Sequence, residues 1–255
     1  MTISTYPRYR IFLPEYCALD RDSAAEVIVQ QGVARRSFGV TALAVHGLIE
    51  STTQPALGDK INRIQMILPD GQPVVWALNL FYRLGLRFKI PGPSLTSEVL
   101  RQAEPLGLSV YLYGSTRDTL DKFSAHIAAT YPGLVLAGTH EDRFRDATPE
   151  EDAADVEKIR ASGANIVLVG RGCPRQEHWV ADHVGRVDAA MLAVGAAFDY
   201  HAGKLRRAPM WVQKGGLEWA FRLVQEPRRL WRRYLFSNFR FLYEILRHKF
   251  ILGRP

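Results

Sequence analysis

A chain of 255 residues with 47% hydrophobic content can bury the core of one large α/β domain. The start of the chain lacks the apolar region of a signal peptide, and the longest apolar run (residues 189–198) is too short to span a membrane. Two cysteines make neither a disulfide framework nor a zinc site. We therefore expect a cytoplasmic protein. The whole net charge of +7 lies in residues 222–255, which carry nine Lys and Arg and two acids, together with seven aromatic residues.

Short β-rich apolar runs alternate with helical patterns, which is typical of a mostly parallel sheet with crossover helices. The predicted strands span residues 38–45, 64–68, 109–113, 134–137, 165–169 and 190–194. The helices predicted between them span residues 73–84, 95–104, 116–130, 149–162 and 176–184, the fourth beginning at Thr148-Pro149. Two further helices, 210–224 and 228–250, are separated at Glu226-Pro227.

This order predicts an α/β, Rossmann-like, mostly parallel sheet with flanking helices and a C-terminal basic helical appendage. The charge distribution divides the chain into a neutral globular body, residues 1–221, and a basic aromatic appendage, residues 222–255. Such an appendage is expected to bind an anionic surface or a polyanion.

Polar residues follow several predicted strands, at the edge where parallel sheets bind their ligands. Asp70 can act there as a general base, although Asp-Gly is a common turn pair and the residues alone favour a turn. Gly114 opens a strand-to-helix junction that suits phosphate, but an ordinary helix cap explains it better. Asp199 can bind a ribose or can be a solvent-exposed loop acid, and both readings remain open.

The segment 170–177 is the most unusual, because two glycines and a proline fix a tight loop that carries four polar or charged side chains. Arginine and glutamine in such a loop can hold a pyrophosphate or a sugar hydroxyl. Cys173 within it is best explained as a structural thiol. The seven histidines show no metal-ligand spacing, and Asp20-Arg21-Asp22 is better explained as a helix start, so no metal is predicted.

Taken together and in order, these segments resemble the WecG/TagA/CpsF glycosyltransferases (glycosyltransferase family 26) over about residues 38–234. The resemblance rests on Val40-Thr41, Pro69-Asp70-Gly71, Tyr113-Gly114, Gly172-Cys-Pro-Arg-Gln-Glu177, Gly195-Ala-Ala-Phe-Asp199, Arg207-Ala208-Pro209, Gly216-Leu-Glu-Trp219 and the run from Glu226 to Tyr234.

The resemblance implies inverting, metal-independent transfer of a hexose, or an N-acetylhexosamine-type sugar, from a UDP-sugar to a polyprenyl-diphosphate-linked glycan in cell-surface polysaccharide synthesis, without a cofactor. It implies a catalytic base at Asp70, assisted by Thr41 and Gln176. The residues implied to bind the donor are Gly114, Phe144, Arg171, Gly172, Pro174, Glu177 and Asp199.

Two departures from the family pattern leave the donor sugar unassigned. Leu43 stands where many members have Asn, and Ser94 stands where they have Asp. A non-catalytic regulator of the same fold that binds a nucleotide sugar therefore remains an alternative. His46, in a segment peculiar to this chain, is expected near the cleft.

The appendage is predicted to complete the site. Arg222, Arg229 and Arg232 are spaced by seven and three residues, so they are expected on one helical side, and with Arg233 they would bind the diphosphate and the lipid.

In the helix 228–250, apolar residues at three- and four-residue spacing predict an interfacial helix on the anionic inner face of the cell membrane. Packing on the body or in a homo-oligomer interface is the alternative. A nucleic-acid partner is not predicted, because the body is neutral and carries no recognition motif. The missing Gly-x-Gly-x-x-Gly likewise disfavours a nicotinamide-dependent oxidoreductase.

Overall fold

The computed structural model of the chain describes residues 6–209, 211–212 and 217–252, without the side chains of Arg229 and Leu252. Its strands are β1 (Arg8–Arg10), β2 (Glu15–Cys17), β3 (Phe38–Leu43), β4 (Met66–Pro69), β5 (Ser109–Gly114), β6 (Val135–His140), β7 (Ile166–Gly170) and β8 (Ala190–Ala193). Its α-helices are α1 (Arg21–Val33), α2 (Val45–Thr53), α3 (Pro55–Ile61), α4 (Gln72–Tyr82), α5 (Gly92–Ala103), α6 (Arg117–Thr130), α7 (Pro149–Ala161), α8 (Arg175–His183), α9 (Ala196–His201), α10 (Glu218–Gln225) and α11 (Pro227–Leu246).

Strands β3 to β8 form one parallel sheet with the order β4-β3-β8-β7-β5-β6. Thr41 of β3 pairs with Ile67 of β4 and with Ala193 of β8, which brings the carboxyl ends of these strands to one edge. Core clusters lie on both faces of the sheet, so the inner strands are apolar along their whole length. The predicted Rossmann-like α/β fold is confirmed, and each of the six predicted strands is present.

The ends of several elements differ from the prediction. The strand predicted over 38–45 ends at Leu43, because α2 begins at Val45 and takes the end of the apolar run into a helix. Helix α5 begins at Gly92, earlier than predicted, with a proline in its first turn. The predicted start of α7 is confirmed: Thr148 accepts a hydrogen bond from the Glu151 N–H in a capping box.

The N-terminal region adds elements that the sequence pattern did not predict. Strands β1 and β2 form an antiparallel hairpin, and α1 begins where the Asp20 side chain accepts a hydrogen bond from the Ser23 N–H. That contact agrees with the interpretation of Asp20 as a helix start. Tyr16 of β2 is fully buried, and its hydroxyl donates to the Leu43 carbonyl oxygen at 3.3 Å, so the hairpin packs beneath the end of β3.

The C-terminal region forms two helices that meet at Glu226-Pro227, as predicted, because a proline starts a helix well and continues one badly. Helix α10 begins at Glu218, and part of the helix predicted over 210–224 lies outside the described residues. Helix α11 packs on the body: Leu230 and Ile245 are buried, and the rings of Phe12 and Phe241 lie 6.1 Å apart. Within the part of the chain that the structure describes, no helix is long and apolar enough to span a membrane.

Candidate active site

A cavity of about 790 Å³ opens at the carboxyl ends of the six parallel strands. Loops that follow all six strands line it, as expected for a parallel α/β sheet, whose ligands bind at this edge. Helices α10 and α11 cover part of the cavity and contribute Trp219, Arg222, Leu230, Arg233, Tyr234, Ser237 and Asn238 to its wall. The C-terminal region is thus part of the cleft.

Asp70 follows β4 and lies in this cleft. Gly71 after it has φ 102°, a conformation that only glycine adopts readily, so the chain turns at once into α4. The Asp70 N–H donates to the Leu43 carbonyl oxygen at 3.3 Å, and the carboxylate accepts the Gly92 N–H. Burial raises the pKa of the Asp70 carboxyl group.

Three cations oppose that rise in the pKa of Asp70: Lys89, Arg222 and Arg233. Lys89 comes from the segment before α5 and is ion-paired with Glu218 of α10. Arg222 lies over the ring of Tyr200, with its guanidinium carbon 5.9 Å from the ring centroid. The body and both C-terminal helices therefore bring positive charge to one carboxylate.

Arg233 is the most informative of these cations. Its Nε atom is buried, and among the described residues it has no hydrogen-bond partner. A buried donor without a partner is costly, so its place in the wall of a cleft indicates an anionic ligand.

Thr41, Gln176 and Glu177 form a hydrogen-bonded group at the base of the cleft. The Thr41 hydroxyl donates to Glu177 Oε1 at 3.1 Å, and Gln176 Nε2 donates to the same oxygen at 2.9 Å. Burial raises the pKa of Glu177, whose hydrogen bonds with Gln176 and Thr41 oppose the rise. With its Nε2 engaged, Gln176 keeps a buried Oε1 that has no partner among the described residues and can accept from a sugar hydroxyl.

The loops after β6 and β7 are joined by a buried acid. Asp142 accepts from Arg171 Nε at 3.2 Å and from Arg175 at 3.0 and 3.1 Å. Phe144, in the same region, lines the cleft with 62% of its side chain exposed and a φ of 53°. An exposed ring held at the mouth of a cleft by two rigid loops can stack on a planar ligand.

His46 lies in the cleft, where the sequence placed it. Its Nδ1 is 3.1 Å from the Ser237 hydroxyl of α11 and 3.9 Å from Glu50 Oε1. Burial and the neighbouring Arg233 lower the pKa of His46 to about 4, so the ring is neutral near pH 7. Both partners share one ring nitrogen, so the three do not form a Ser-His-Glu relay, which needs both nitrogens.

Most of the predicted site residues do line the cleft: Asp70, Phe144, Arg171, Gly172, Gln176, Glu177, Asp199, Arg222 and Arg233. Thr41 does not line it, but its hydroxyl is hydrogen-bonded to Glu177, which does. Pro174 does not line it, and neither does Gly114, where a Cβ atom would meet the Gly170 carbonyl oxygen at 2.7 Å. Glycine at 114 therefore lets β5 and β7 approach closely at that point.

The expectation that the arginines share one helical side is wrong for Arg222 and Arg232, because α10 and α11 are separate helices. Arg232 is exposed and lies over the ring of Trp231 at 5.2 Å, outside the cleft. The side chain of Arg229 lies outside the described residues. Arg233, one position further on, is the described residue of α11 whose charge lowers the pKa of Asp70.

The sequence analysis missed Lys89. One signal in the sequence could have indicated Lys89: it is a cation in a stretch, residues 71–97, that contains no Asp or Glu. Of the residues that the structure describes, no three or more His, Cys, Asp or Glu side chains lie close enough together to hold a metal ion.

The comparison with known families agrees with this geometry. The sequence model of the Glycosyl transferase WecG/TagA/CpsF family matches residues 10–254, nearly the whole chain. The match extends the resemblance, which the motifs carried from about residue 38 to 234, to most of the N-terminal hairpin, to α1 and to the rest of α11.

Proposed function

The chain belongs to the WecG/TagA/CpsF glycosyltransferase family, and we propose that it transfers a hexose, or an N-acetylhexosamine-type sugar, from a UDP-sugar to a polyprenyl-diphosphate-linked glycan. Membership makes it a glycosyltransferase of cell-surface polysaccharide synthesis, whose substrates are a nucleotide-sugar donor and a glycan acceptor. The observation that carries the proposal is the position of Asp70, which shares one cleft with Lys89, Arg222 and Arg233.

Asp70 is the general base of the proposed reaction. Its carboxylate takes the proton of the acceptor hydroxyl as that oxygen attacks the anomeric carbon of the donor from the face opposite UDP. The bond between the anomeric carbon and the UDP oxygen breaks, and its electron pair stays on the β-phosphate. Because burial raises the pKa of Asp70, the carboxylate is a better proton acceptor than an exposed aspartate.

The cations stabilise the leaving group. Charge develops on the β-phosphate as UDP departs, and fixed positive groups in a partly buried cleft stabilise that charge strongly. Arg233 has a buried Nε without a partner among the described residues, and Arg222 and Lys89 lie beside the same carboxylate. These side chains can supply the positive charge that a divalent metal supplies elsewhere, which supports metal-independent transfer.

The remaining cleft residues bind the donor in this proposal. Phe144 stacks on the uracil ring, and Asp199 accepts a hydrogen bond from a ribose hydroxyl. Arg171, which also lines the cleft, is held in place by its hydrogen bond to Asp142. Gln176 accepts a hydrogen bond from the transferred sugar through its unpartnered Oε1. Glu177 and Thr41 position that amide.

The acceptor is attached to a lipid, so the proposal includes association with the inner face of the cell membrane. Exposed apolar residues follow one seam of α11: Trp231, Leu235, Phe239, Leu242 and Leu246. Arg232 and Arg240 lie beside this seam and are exposed. An amphipathic helix of this composition binds an anionic bilayer surface.

Calorimetric titration with UDP, with and without EDTA, tests the proposal first. We expect UDP to bind, EDTA to leave the affinity unchanged, and NAD and a short DNA duplex to give no heat. Binding of NAD or DNA in place of UDP would contradict the donor assignment. A UDP-binding protein that turns over no UDP-hexose on a polyprenyl-diphosphate acceptor would instead be the non-catalytic regulator.

A further inference from the structure

A second basic and apolar segment borders the cleft, outside the C-terminal helices. It consists of α4 and the segment that returns from it, residues 72–89, and we refer to it as the α4 hairpin. Between Asp70 and Glu98 the chain has no acidic residue, while Arg83, Arg87 and Lys89 are basic. The neutral body, residues 1–221, therefore contains a local cationic surface that its overall charge conceals.

The outer face of α4 carries unusually exposed apolar groups. Trp76 and Leu80 are 63% and 43% exposed and fall at positions i and i+4 of one helical face, and Arg83, which follows the last residue of α4, is exposed as well. On the returning segment, Phe88 is 81% exposed. Buried residues on the other face of α4, such as Val74 and Leu78, fix this orientation.

The hairpin is held in a defined shape. Asn79 Nδ2 donates to the Leu86 carbonyl oxygen at 2.8 Å, and the Leu86 N–H donates back to Asn79 Oδ1 at 2.9 Å. At the base of the hairpin, where its two ends meet, the Ile90 N–H donates to the Pro69 carbonyl oxygen at 2.8 Å. Phe88 is therefore presented outward by a backbone that these hydrogen bonds fix.

We propose that the α4 hairpin is a second membrane-contacting element, which places Leu80 and Phe88 at the headgroup boundary of an anionic bilayer. Charge complementarity selects this partner, because exposed Arg83 and Arg87 flank the apolar groups and have no ion pair with the residues that the structure describes. Trp76 lines the cleft and lies on the same face of α4 as Leu80, so the surface is continuous with the cleft.

This inference goes beyond the proposed function, since it rests on the surface of the body and not on the donor or on α11. A polyprenyl-diphosphate acceptor would explain its use: a cleft bordered by lipid-contacting side chains can receive a diphosphate without drawing the isoprenoid chain through water.

Co-sedimentation with phosphatidylcholine vesicles, with and without phosphatidylglycerol, tests the proposal on the full-length protein. The variant L80A/F88A should bind anionic vesicles at least about tenfold more weakly, and R83Q/R87Q should lose a similar factor only when phosphatidylglycerol is present. The matched control is V135A/L136A, which removes two exposed apolar side chains from the other edge strand of the sheet and should bind like the wild type.

Labelling gives an independent measurement. A polarity-sensitive fluorophore on F88C should shift to shorter wavelength when anionic vesicles are added, and the same label on V135C should not shift. Wild-type vesicle affinity of L80A/F88A, or an F88C label that reports only water, would overturn the proposal. A change from dimer to monomer in L80A/F88A at unchanged vesicle affinity would also overturn it and would identify a second copy of the chain as the partner.

These outcomes are separable from failure of the proposed function. UDP binding by L80A/F88A is expected to equal that of the wild type, because neither side chain lines the cleft. If the wild-type protein bound vesicles but not UDP, the proposed membrane contact of the α4 hairpin would stand, and the proposal that the donor is a UDP-sugar would fail.

Discussion

Asp70 and Glu177 are two acids of the same cleft whose neighbours give them different roles. Burial raises the pKa of both, but Asp70 lies beside cations whereas Glu177 accepts hydrogen bonds from the neutral donors Thr41 and Gln176. Neighbouring cations favour the charged form of a carboxylate, whereas neutral donors hold a carboxylate by hydrogen bonds alone. These environments support the proposed roles of Asp70 as the base and of Glu177 as a positioning residue.

Replacing Asp70 by Asn should abolish sugar transfer and leave UDP binding within a few-fold of the wild type, because the amide keeps the shape of the side chain and cannot take a proton. Single-turnover transfer and UDP calorimetry measure the two effects separately. Asp118→Asn, at an exposed position of α6, serves as the control and should be fully active. Transfer by Asp70→Asn at the wild-type rate would remove Asp70 as the base.

The dependence of transfer on pH should also report the cations around Asp70. A base works when ionised, so activity should fall as the pH drops through the pKa of Asp70, and this fall forms the acid limb of the pH–activity profile. Because burial raises that pKa, the midpoint of the limb should lie above the ordinary value of about 3.9 for Asp. Arg233→Gln removes a charge that lowers the pKa of Asp70, so the limb should move to higher pH.

Arg232→Gln is the matched control for this measurement, because Arg232 is adjacent in sequence but exposed outside the cleft. Its profile should coincide with that of the wild type. If the acid limb of the Arg233→Gln profile also coincided with that of the wild type, Arg233 would not lower the pKa of Asp70.

At the scale of elements, α11 joins two surfaces. One face is buried through Leu230, Ser237 and Ile245, and the Ser237 hydroxyl meets His46 of α2. The other face exposes an apolar seam. Deleting α11 would therefore expose part of the core as well as remove the seam. Substitutions of exposed side chains of α11 test vesicle binding without disturbing the core.

The variant F236S/F239S, which removes Phe239 of the seam and the exposed ring of Phe236 beside it, should weaken binding to anionic vesicles and preserve UDP binding, since both rings are about 70% exposed and neither lines the cleft. The loss should be tenfold or more if both rings enter the interface, at about 1.5–3 kcal/mol for each fully buried apolar side chain. Thermal unfolding checks the fold. Full vesicle affinity in this variant would mean that the seam faces another protein or water.

What the sequence could predict depended on how local the signal was. The strands of the sheet and helix α7 are marked by short apolar runs and by the Thr148-Pro149 cap, so they were predicted correctly. Helix α2 was missed because Val45 continues an apolar run that began in β3.

The site was harder to predict than the fold, because its parts are distant in the chain. Asp70 looked like a turn residue until the family resemblance was considered, and its partners Arg222 and Arg233 come from the last two helices. Arg232 and Arg233 differ by one position, or about 100° around a helix, and only the packing of α11 shows which of them enters the cleft.

For the molecule as a whole, two exposed apolar and basic surfaces, the seam of α11 and the α4 hairpin, belong to elements that also line the cleft. With a net charge of +7, electrostatic attraction should add to apolar contact when the protein meets an anionic bilayer. If both surfaces contact the bilayer as proposed, sugar transfer depends on how the molecule is oriented on the membrane as well as on what the cleft contains.

Salt should separate the two contributions. Raising the ionic strength from about 0.1 M to about 1 M shortens the screening length from about 10 Å to about 3 Å, so affinity for phosphatidylglycerol vesicles should fall steeply. Affinity for neutral vesicles, which depends on the apolar side chains, should stay constant or rise slightly. Vesicle flotation at both salt concentrations measures this, and equal salt sensitivity with neutral and anionic lipid would exclude an electrostatic contribution.

Arg222 and Arg233 follow β8 in the chain, and this order has a consequence for synthesis. A polypeptide emerging from the ribosome can complete β8, and with it the parallel sheet, before α10 and α11 exist. At that stage Asp70 has neither arginine beside it, and the wall formed by α11 is missing. The nascent chain can therefore complete its parallel sheet before the cations proposed to act around Asp70 are in place.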